Sequence, residues 1–297
     1  MRKSSIKNQQ TLLLVACAAL IISLFNISNI LNQKIYAHIF TTDETASFLS
    51  FADQLQVESE LVQTNLVNNN LSLAQKHANK AASLLTPSII VEIAERNQRI
   101  ANDLVNAVNN LQNISSSQQQ VQQPVSTLVS DIDAILSEAL ITRIDQDQRD
   151  NATIRALAFA NLVDSILTNY GNAFAVEFDM TNMSNMQSMM NMDMAGNNTG
   201  MGSMSEMSSE MNRNYSLVNA IDYQSAQALA SKSLEIFNAE LKSMASNNTT
   251  AFITNLENGL TRLIDSIRSK ASPMDIMMIF HTQIHPNLLD AFNLKLR

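Results

Sequence analysis

The chain has 297 residues, its 19 Lys and Arg are outnumbered by 27 Asp and Glu, and 45% of its residues are apolar. An acidic balance argues against nucleic-acid binding, and the apolar fraction is ordinary for a chain that buries a core. Five glycines and four prolines are too few for many strands joined by tight turns. No G-x-G-x-x-G or G-x-x-x-x-G-K motif occurs, which excludes the nucleotide sites of Rossmann and P-loop enzymes.

Residues 1–37 have the pattern of an export signal. Three basic residues precede an apolar run from Leu12 to Phe25, and a polar stretch ending at Ala37 follows. We expect cleavage after Ala37. The alternative is an uncleaved membrane anchor, because apolar residues as far as Leu31 can lengthen the run towards the about 20 residues of a span. The protein is therefore predicted to be extracytoplasmic, either secreted or tethered by this N-terminal segment.

The rest of the chain shows the three- and four-residue apolar spacing of amphipathic helices almost throughout. The first predicted helix is capped by Thr41, Thr42 or Asp43 and continues to the break at 68–70. The others cover residues 71–85, 87–114, 125–140, 154–178, 217–244 and 252–267, and a last one begins near Pro273. Pro286 is expected to end the last regular helix at His285, because proline cannot continue the hydrogen-bond pattern of a helix. We predict an all-α multi-helix bundle with a first part at 38–177, a long disordered Met-rich loop at 178–216 and a second part at 217–297.

The loop is unusual in composition, because 11 methionines occur within 32 of its residues. No Leu, Ile, Val, Phe, Tyr or Trp is interspersed with them, whereas a core-facing stripe would include such residues. Most of the methionines recur at intervals of two or three residues. They are Met180, Met183, Met186, Met189, Met190, Met192, Met194, Met201, Met204, Met207 and Met211.

A cluster of thioethers predicts a Cu(I) site, since soft, neutral sulfur ligands select that ion over hard cations. Two or three sulfurs at these intervals can close round one small ion. The segment resembles the extracellular methionine motifs of high-affinity copper permeases and of bacterial periplasmic copper-resistance proteins. The alternatives are an oxidant-consuming loop, an unconstrained loop, and an adaptable apolar surface by which a helical module with no metal role docks on a membrane complex.

His38 is a candidate Cu(II) ligand because cleavage after Ala37 would make it the first residue. Its α-amine and imidazole could then chelate one ion together. This arrangement resembles half of the histidine brace of copper oxygenases and periplasmic copper carriers. An ordinary exposed histidine near the start of the domain is the alternative.

His281 and His285 are also candidate metal ligands. Their four-residue spacing places both on one face of a helix, where they can hold one ion. The same face continues through Met278, Met277 and Met274, and an apolar core stripe is the alternative there. His77, in contrast, is expected on an exposed face. The carboxylates Glu58, Glu60, Glu92 and Glu95 are expected to line a solvated face.

No catalytic residue is predicted. A di-iron centre in a helical bundle needs E-x-x-H pairs, and no Glu precedes any histidine by three residues. No G-x-S-x-G motif marks a hydrolase nucleophile. We therefore expect a protein that is not an enzyme, and a copper oxidase built on His38 is the alternative.

The Asn-rich composition, the Tyr36-Ala37-His38 junction, the opening at 42–49 and the closing at 281–288 resemble secreted helical proteins of ammonia-oxidising archaea. The resemblance implies a location between membrane and surface layer, in organisms that depend on extracytoplasmic copper enzymes, and it carries no catalytic residue. The whole sequence thus predicts an exported helical protein that captures, stores or delivers copper. Its expected partners are copper ions and a membrane-bound copper enzyme or transporter, with Cu(I) at the methionines and Cu(II) at the histidines.

Overall fold

A computed structural model describes residues 38–116, 124–176 and 215–294. Helices account for nearly all of these residues and no strand occurs among them, which confirms the predicted all-α fold. The main helices are α1 (Thr42–Val67), α2 (Leu71–Leu84), α3 (Pro87–Arg96), α4 (Gln98–Ser116), α5 (Val125–Arg143), α6 (Ala152–Ala173), α7 (Ala220–Ile236), α8 (Thr250–Arg268), α9 (Pro273–Ile279) and α10 (His285–Phe292). The predicted export signal and all 11 methionines of the Met-rich segment lie outside the described residues.

The first three helices begin where the sequence predicts, because each has a side chain that caps its first turn. Thr41 and Glu44 form a capping box at α1: the Glu44 amide donates to Thr41 Oγ1 at 3.3 Å, and the Thr41 amide donates to Glu44 Oε2 at 2.8 Å. Asn70 caps α2 and Thr86 caps α3 in the same way, through one side-chain oxygen each. Capping side chains therefore set these boundaries locally.

The predicted continuous helix from Pro87 onwards is wrong, because Asn97 divides it into α3 and α4. Asn97 has an extended backbone with φ −155° and ψ 100°. Its side-chain oxygen accepts from the Arg99 amide at 3.1 Å, so it offers the backbone a hydrogen bond that competes with the helical one. The apolar stripe continues across the break because both helices pack on the same core.

Two π-helical turns, Phe237–Leu241 and Phe280–Ile284, interrupt the second half of the fold. The first and last residues of each turn are completely buried. The second turn leads directly into α10, whose first turn contains Pro286. The expectation that Pro286 ends the helix is therefore wrong, since the first turn of a new helix does not require the missing N–H.

The buried apolar residues form two clusters. One is built from α1 to α5 and the beginning of α6, and the other from the rest of α6 to α10. Helices α1 and α6 contribute to both clusters, and α7 packs closely on α6 and also contacts α1. Each buried Phe or Leu stabilises the fold by roughly 1.5–3 kcal/mol relative to an exposed one. The two halves thus meet along α1, α6 and α7.

Candidate functional site

The two ends of the Met-rich segment are fixed side by side on the helical core. The backbone amides of Val218 and Asn219 both donate to the carbonyl oxygen of Ala173, at 2.9 and 3.1 Å. Ala173 is the last residue of α6, and Asn219 is the N-cap of α7. The described residues on either side of 177–214 therefore lie next to each other.

The departing end is closed by local hydrogen bonds that satisfy the last carbonyls of α6. The Val176 amide donates to Gly171 O at 2.9 Å and the Ala175 amide donates to Asn172 O at 3.3 Å, which is the Schellman pattern. Ala175 occupies the left-handed position of this motif, with φ 54°. Because this position costs alanine more than glycine, the contacts around it must outweigh the strain.

An aromatic cluster lies close to the contact between Ala173 and Asn219. The rings of Tyr170 and Phe174 on the α6 side lie 4.9 Å apart, and Tyr223 of α7 lies 6.3 Å from each of them. The Tyr170 hydroxyl donates to Ala271 O at 2.6 Å, and the Tyr223 hydroxyl donates to Ile267 O at 2.8 Å. These contacts join the end of α6 and the start of α7 to the end of α8.

A buried ionic network joins α1, α2 and α7 beside this aromatic cluster. Glu58 of α1 accepts from Ser225 Oγ at 2.6 Å and lies 2.7 Å from His77 Nδ1. The other ring nitrogen of His77 is 2.8 Å from Gln224 Oε1, which also accepts from Asn65 Nδ2 at 3.0 Å. Both ring nitrogens of His77 thus lie within hydrogen-bonding distance of a side-chain oxygen.

Lys80 extends the network to α6 and to the surface. Its ammonium donates to Asp222 Oδ1 at 2.6 Å, to Ser225 Oγ at 3.0 Å and to Asn169 Oδ1. It also lies 3.6 Å from Glu58 Oε1. The carboxylates of Glu58 and Asp222 thereby surround the Lys80 ammonium, which gives this part-buried charge its counter-ions.

Two predictions from the sequence, the exposure of His77 and that of Glu58, are wrong. His77 is fully buried rather than exposed, and the Glu58 side chain is 3% exposed rather than solvated. Ser225 and Lys80 are adjacent, as a nucleophile and base would be, but Ser225 is fully buried and its hydroxyl donates to a carboxylate. This geometry is that of a structural network joining the two halves.

His281 and His285 are brought together as the spacing predicts. Their ring centroids lie 5.6 Å apart, and His285 Nε2 is 3.0 Å from Asp164 Oδ1 of α6. His281 Nε2 is buried without a hydrogen-bond partner, and burial, followed by the neighbouring His285, lowers the pKa of His281. Met277 on the same stretch is buried in the core, and Met274 packs against it.

His38 lies in the other half of the fold, among the carboxylates of Glu44, Glu92 and Glu95. Its Nε2 is 3.5 Å from Glu44 Oε1, and its Nδ1 is 3.3 Å from Glu95 Oε2. The contacts of His38 and those of the His281–His285 pair have no residue in common. A single site shared by the three predicted histidines is therefore not what the described contacts support.

The three carboxylates have different surroundings. Hydrogen bonds from Thr41, first from its backbone and then from its side chain, hold the pKa of Glu44 below its usual value. Arg143, whose side chain is 1% exposed, donates to Glu92 Oε2 at 2.7 Å and to His38 O at 2.9 Å. Glu92 and Glu95 are thus half-buried, whereas the sequence predicted a solvated face for them; Glu60 is exposed as expected.

Among the described residues, His38, Glu92 and Glu95 are the one group of His, Cys, Asp or Glu side chains with three ligand atoms close enough for one metal ion. None of the described helices is both long and apolar enough to cross a membrane. No family model, no curated protein and no solved structure matches the chain.

Proposed function

We propose that this protein binds copper outside the cytoplasm and captures, stores or delivers it through the Met-rich segment. The observation that carries the proposal is the density of thioethers between residues 180 and 211, with no large aliphatic or aromatic residue interspersed. Thioethers stay neutral at every pH and select Cu(I) over hard cations. A segment of this composition has sulfur ligands in excess of those that one ion needs.

The surrounding fold supports this role by the way in which it holds the ends of the segment. A backbone hydrogen bond joins Ala173 to Asn219. The aromatic cluster of Tyr170, Phe174 and Tyr223 comes from the same ends of α6 and α7. The described residues that flank the segment are therefore held close together by contacts within the core. Pinned ends also lower the entropy that the segment loses when it closes round the ion.

A competition titration tests the proposal. The reduced protein is titrated with Cu(I) against a colorimetric Cu(I) chelator, beside a variant in which all 11 segment methionines are leucine. We expect the wild type to withdraw more than one equivalent of Cu(I) from the chelator and the variant to withdraw none. Met244→Leu with Met274→Leu, outside the segment, is the matched control and should bind as the wild type does.

Equal Cu(I) binding by the 11-leucine variant would contradict the role of the thioethers. Absence of binding by the wild type would contradict the copper function itself. In that case a partner that binds both the wild type and the leucine variant would support the alternative of an apolar docking surface, because leucine preserves that character.

A further inference from the structure

The environment of His38 contains a second cluster of possible ligands that the Met-rich segment does not include. Glu92 and Glu95 are three residues apart and project from one side of α3 towards His38, which precedes α1. One ligand atom from each of the three side chains lies within 4.8 Å of the others. Atoms bound to one metal at about 2.0–2.2 Å lie within about 4.4 Å of one another, so small side-chain movements suffice.

One atom of this cluster is buried and lacks a hydrogen bond. The Glu95 side chain is 9% exposed, and its Oε2 has no hydrogen-bond partner although it lies only 3.3 Å from His38 Nδ1. Arg143 Nη2 is 3.7 Å away from the same oxygen, which is beyond hydrogen-bonding distance. A carboxylate oxygen that is buried without a donor normally costs free energy, and a cation between it and the imidazole would remove that cost.

The charges around His38 also favour a cation. Glu44, Glu92 and Glu95 supply three negative charges, and Arg143 supplies one positive charge within the same group of contacts. With a neutral imidazole, the cluster keeps two uncompensated negative charges, which is the charge that a divalent cation neutralises. Arg143 occupies one oxygen of Glu92 and leaves the other oxygen free of that bond.

The backbone and ring of His38 are held in place for such a role. Arg143 binds the His38 carbonyl oxygen and stacks on the Phe40 ring, with its Cζ 3.5 Å from the ring centroid. The Phe40 ring in turn meets the His38 imidazole edge-on at a centroid distance of 5.7 Å. The side chain is still 45% exposed, so an ion can reach it from solvent.

From this geometry we infer that His38, Glu92 and Glu95 bind a divalent transition-metal cation. One imidazole and two carboxylates suit borderline ions such as Zn²⁺ and Co²⁺, and they suit Cu(I) poorly because they contain no soft sulfur. The site differs from the Met-rich segment in its ligand atoms, in its position in the sequence and in the charge of the ion that it binds. It therefore stands or falls independently of the proposed copper function.

Calorimetric titration of the metal-free full chain with Zn²⁺ tests the inference, with Co²⁺ absorption as the spectroscopic probe of the same site. We expect His38→Gln, Glu92→Gln and Glu95→Gln each to weaken binding at least about tenfold, since even the loss of a residue that only hydrogen-bonds to a metal ligand costs about 10–100-fold. Glu257→Gln is the matched control. It removes an exposed carboxylate that pairs with Lys242 and should leave the affinity unchanged.

Absence of Zn²⁺ and Co²⁺ binding by the wild type would overturn the inference, and so would equal affinity in the three variants and the wild type. His38→Gln alters a largely exposed side chain and provides a variant that does not disturb the Glu92–Arg143 ion pair. The 11-leucine variant separates the two proposals. It should keep the Zn²⁺ site and lose Cu(I), whereas His38→Gln should do the reverse.

Discussion

Glu58→Gln removes one negative charge from the protein interior with almost no change in side-chain shape. The Glu58 side chain is 3% exposed, and its two oxygens lie 2.7 Å from His77 Nδ1 and 2.6 Å from Ser225 Oγ. After the substitution Lys80 keeps its ion pair with Asp222, but His77 and Ser225 no longer face a carboxylate. A hydrogen bond to a charged group is worth about 1.5–3 kcal/mol, and Glu58→Gln weakens two such bonds in the protein interior, so we expect a loss of about 3 kcal/mol.

The assay is equilibrium unfolding in urea at neutral pH, followed by far-UV circular dichroism. For a chain of this size the expected loss corresponds to a Tm lower by roughly 6–12 °C. Glu60→Gln, two residues along α1, is the matched control. The Glu60 side chain is exposed, so the change should alter the free energy of unfolding by no more than about 0.5 kcal/mol.

A loss below about 1 kcal/mol in Glu58→Gln, or equal losses in both variants, would refute the argument that this network stabilises the fold. A double-mutant cycle with His77→Gln isolates the pair itself. We expect a coupling energy of at least about 1 kcal/mol, because the two side chains are in direct contact.

Three further changes have clear expected directions. Burial raises the pKa of Asp53 to about 7, so stability falls as the pH rises from about 4 through 7. Because each pKa unit is worth about 1.4 kcal/mol, Asp53→Asn should exceed the wild type by up to roughly 4 kcal/mol near pH 8 but not near pH 4 in unfolding measurements. His281→Leu should stabilise the metal-free protein by roughly 1 kcal/mol, because it removes a buried nitrogen with no partner; a lower Tm would contradict this. Gly259→Ala should lower the free energy of unfolding by roughly 1 kcal/mol, although alanine has the better helix propensity. The reason is that the new Cβ would lie 3.1 Å from Gln283 Cβ and 3.3 Å from Ile284 Cγ1. An unchanged or higher stability would show that the π-helical turn can move to make room for it.

The helix boundaries that the sequence predicts correctly are those set by local capping chemistry. Thr41, Asn70 and Pro87 act on their own first turns, and no distant contact is needed to position them. Asn97 acts locally too, but it interrupts an apolar stripe that continues on both sides, and periodicity alone could not reveal the break. The π turn before His285 likewise depends on packing that the pattern of apolar residues does not contain.

The spacing of the neighbouring apolar residues predicts burial of Glu58 and His77, although both side chains are polar and on that ground were expected to be exposed. Glu58 lies three residues after Leu55 and four before Val62, on the apolar side of α1. His77 follows Ala74 and precedes Ala78 and Ala81, an alanine stripe that is fully buried against its neighbours. The spacing of the apolar residues is therefore that of a core-facing position in both cases. The partners that make the burial possible come from α7, far along the chain, and local pattern cannot supply them.

The cluster at His38 could not be predicted for the same reason. Glu92 and Glu95 reach it from α3, and Arg143 reaches it from the end of α5. Only the tertiary fold brings these residues to one place. The pairing of His281 with His285 was predictable because four residues of helix separate them, whereas the contact with Asp164 was not.

X-ray absorption spectroscopy of the full chain loaded with a single equivalent of Cu(I) tests the copper proposal most directly. We expect a Cu(I) coordination shell of sulfur alone, and the same shell in a variant with His38, His281 and His285 replaced. Replacement of all 11 segment methionines by leucine should abolish that shell. A shell of nitrogen or oxygen in the wild type, or a sulfur shell that survives the leucine substitutions, would contradict the assignment of copper to the Met-rich segment.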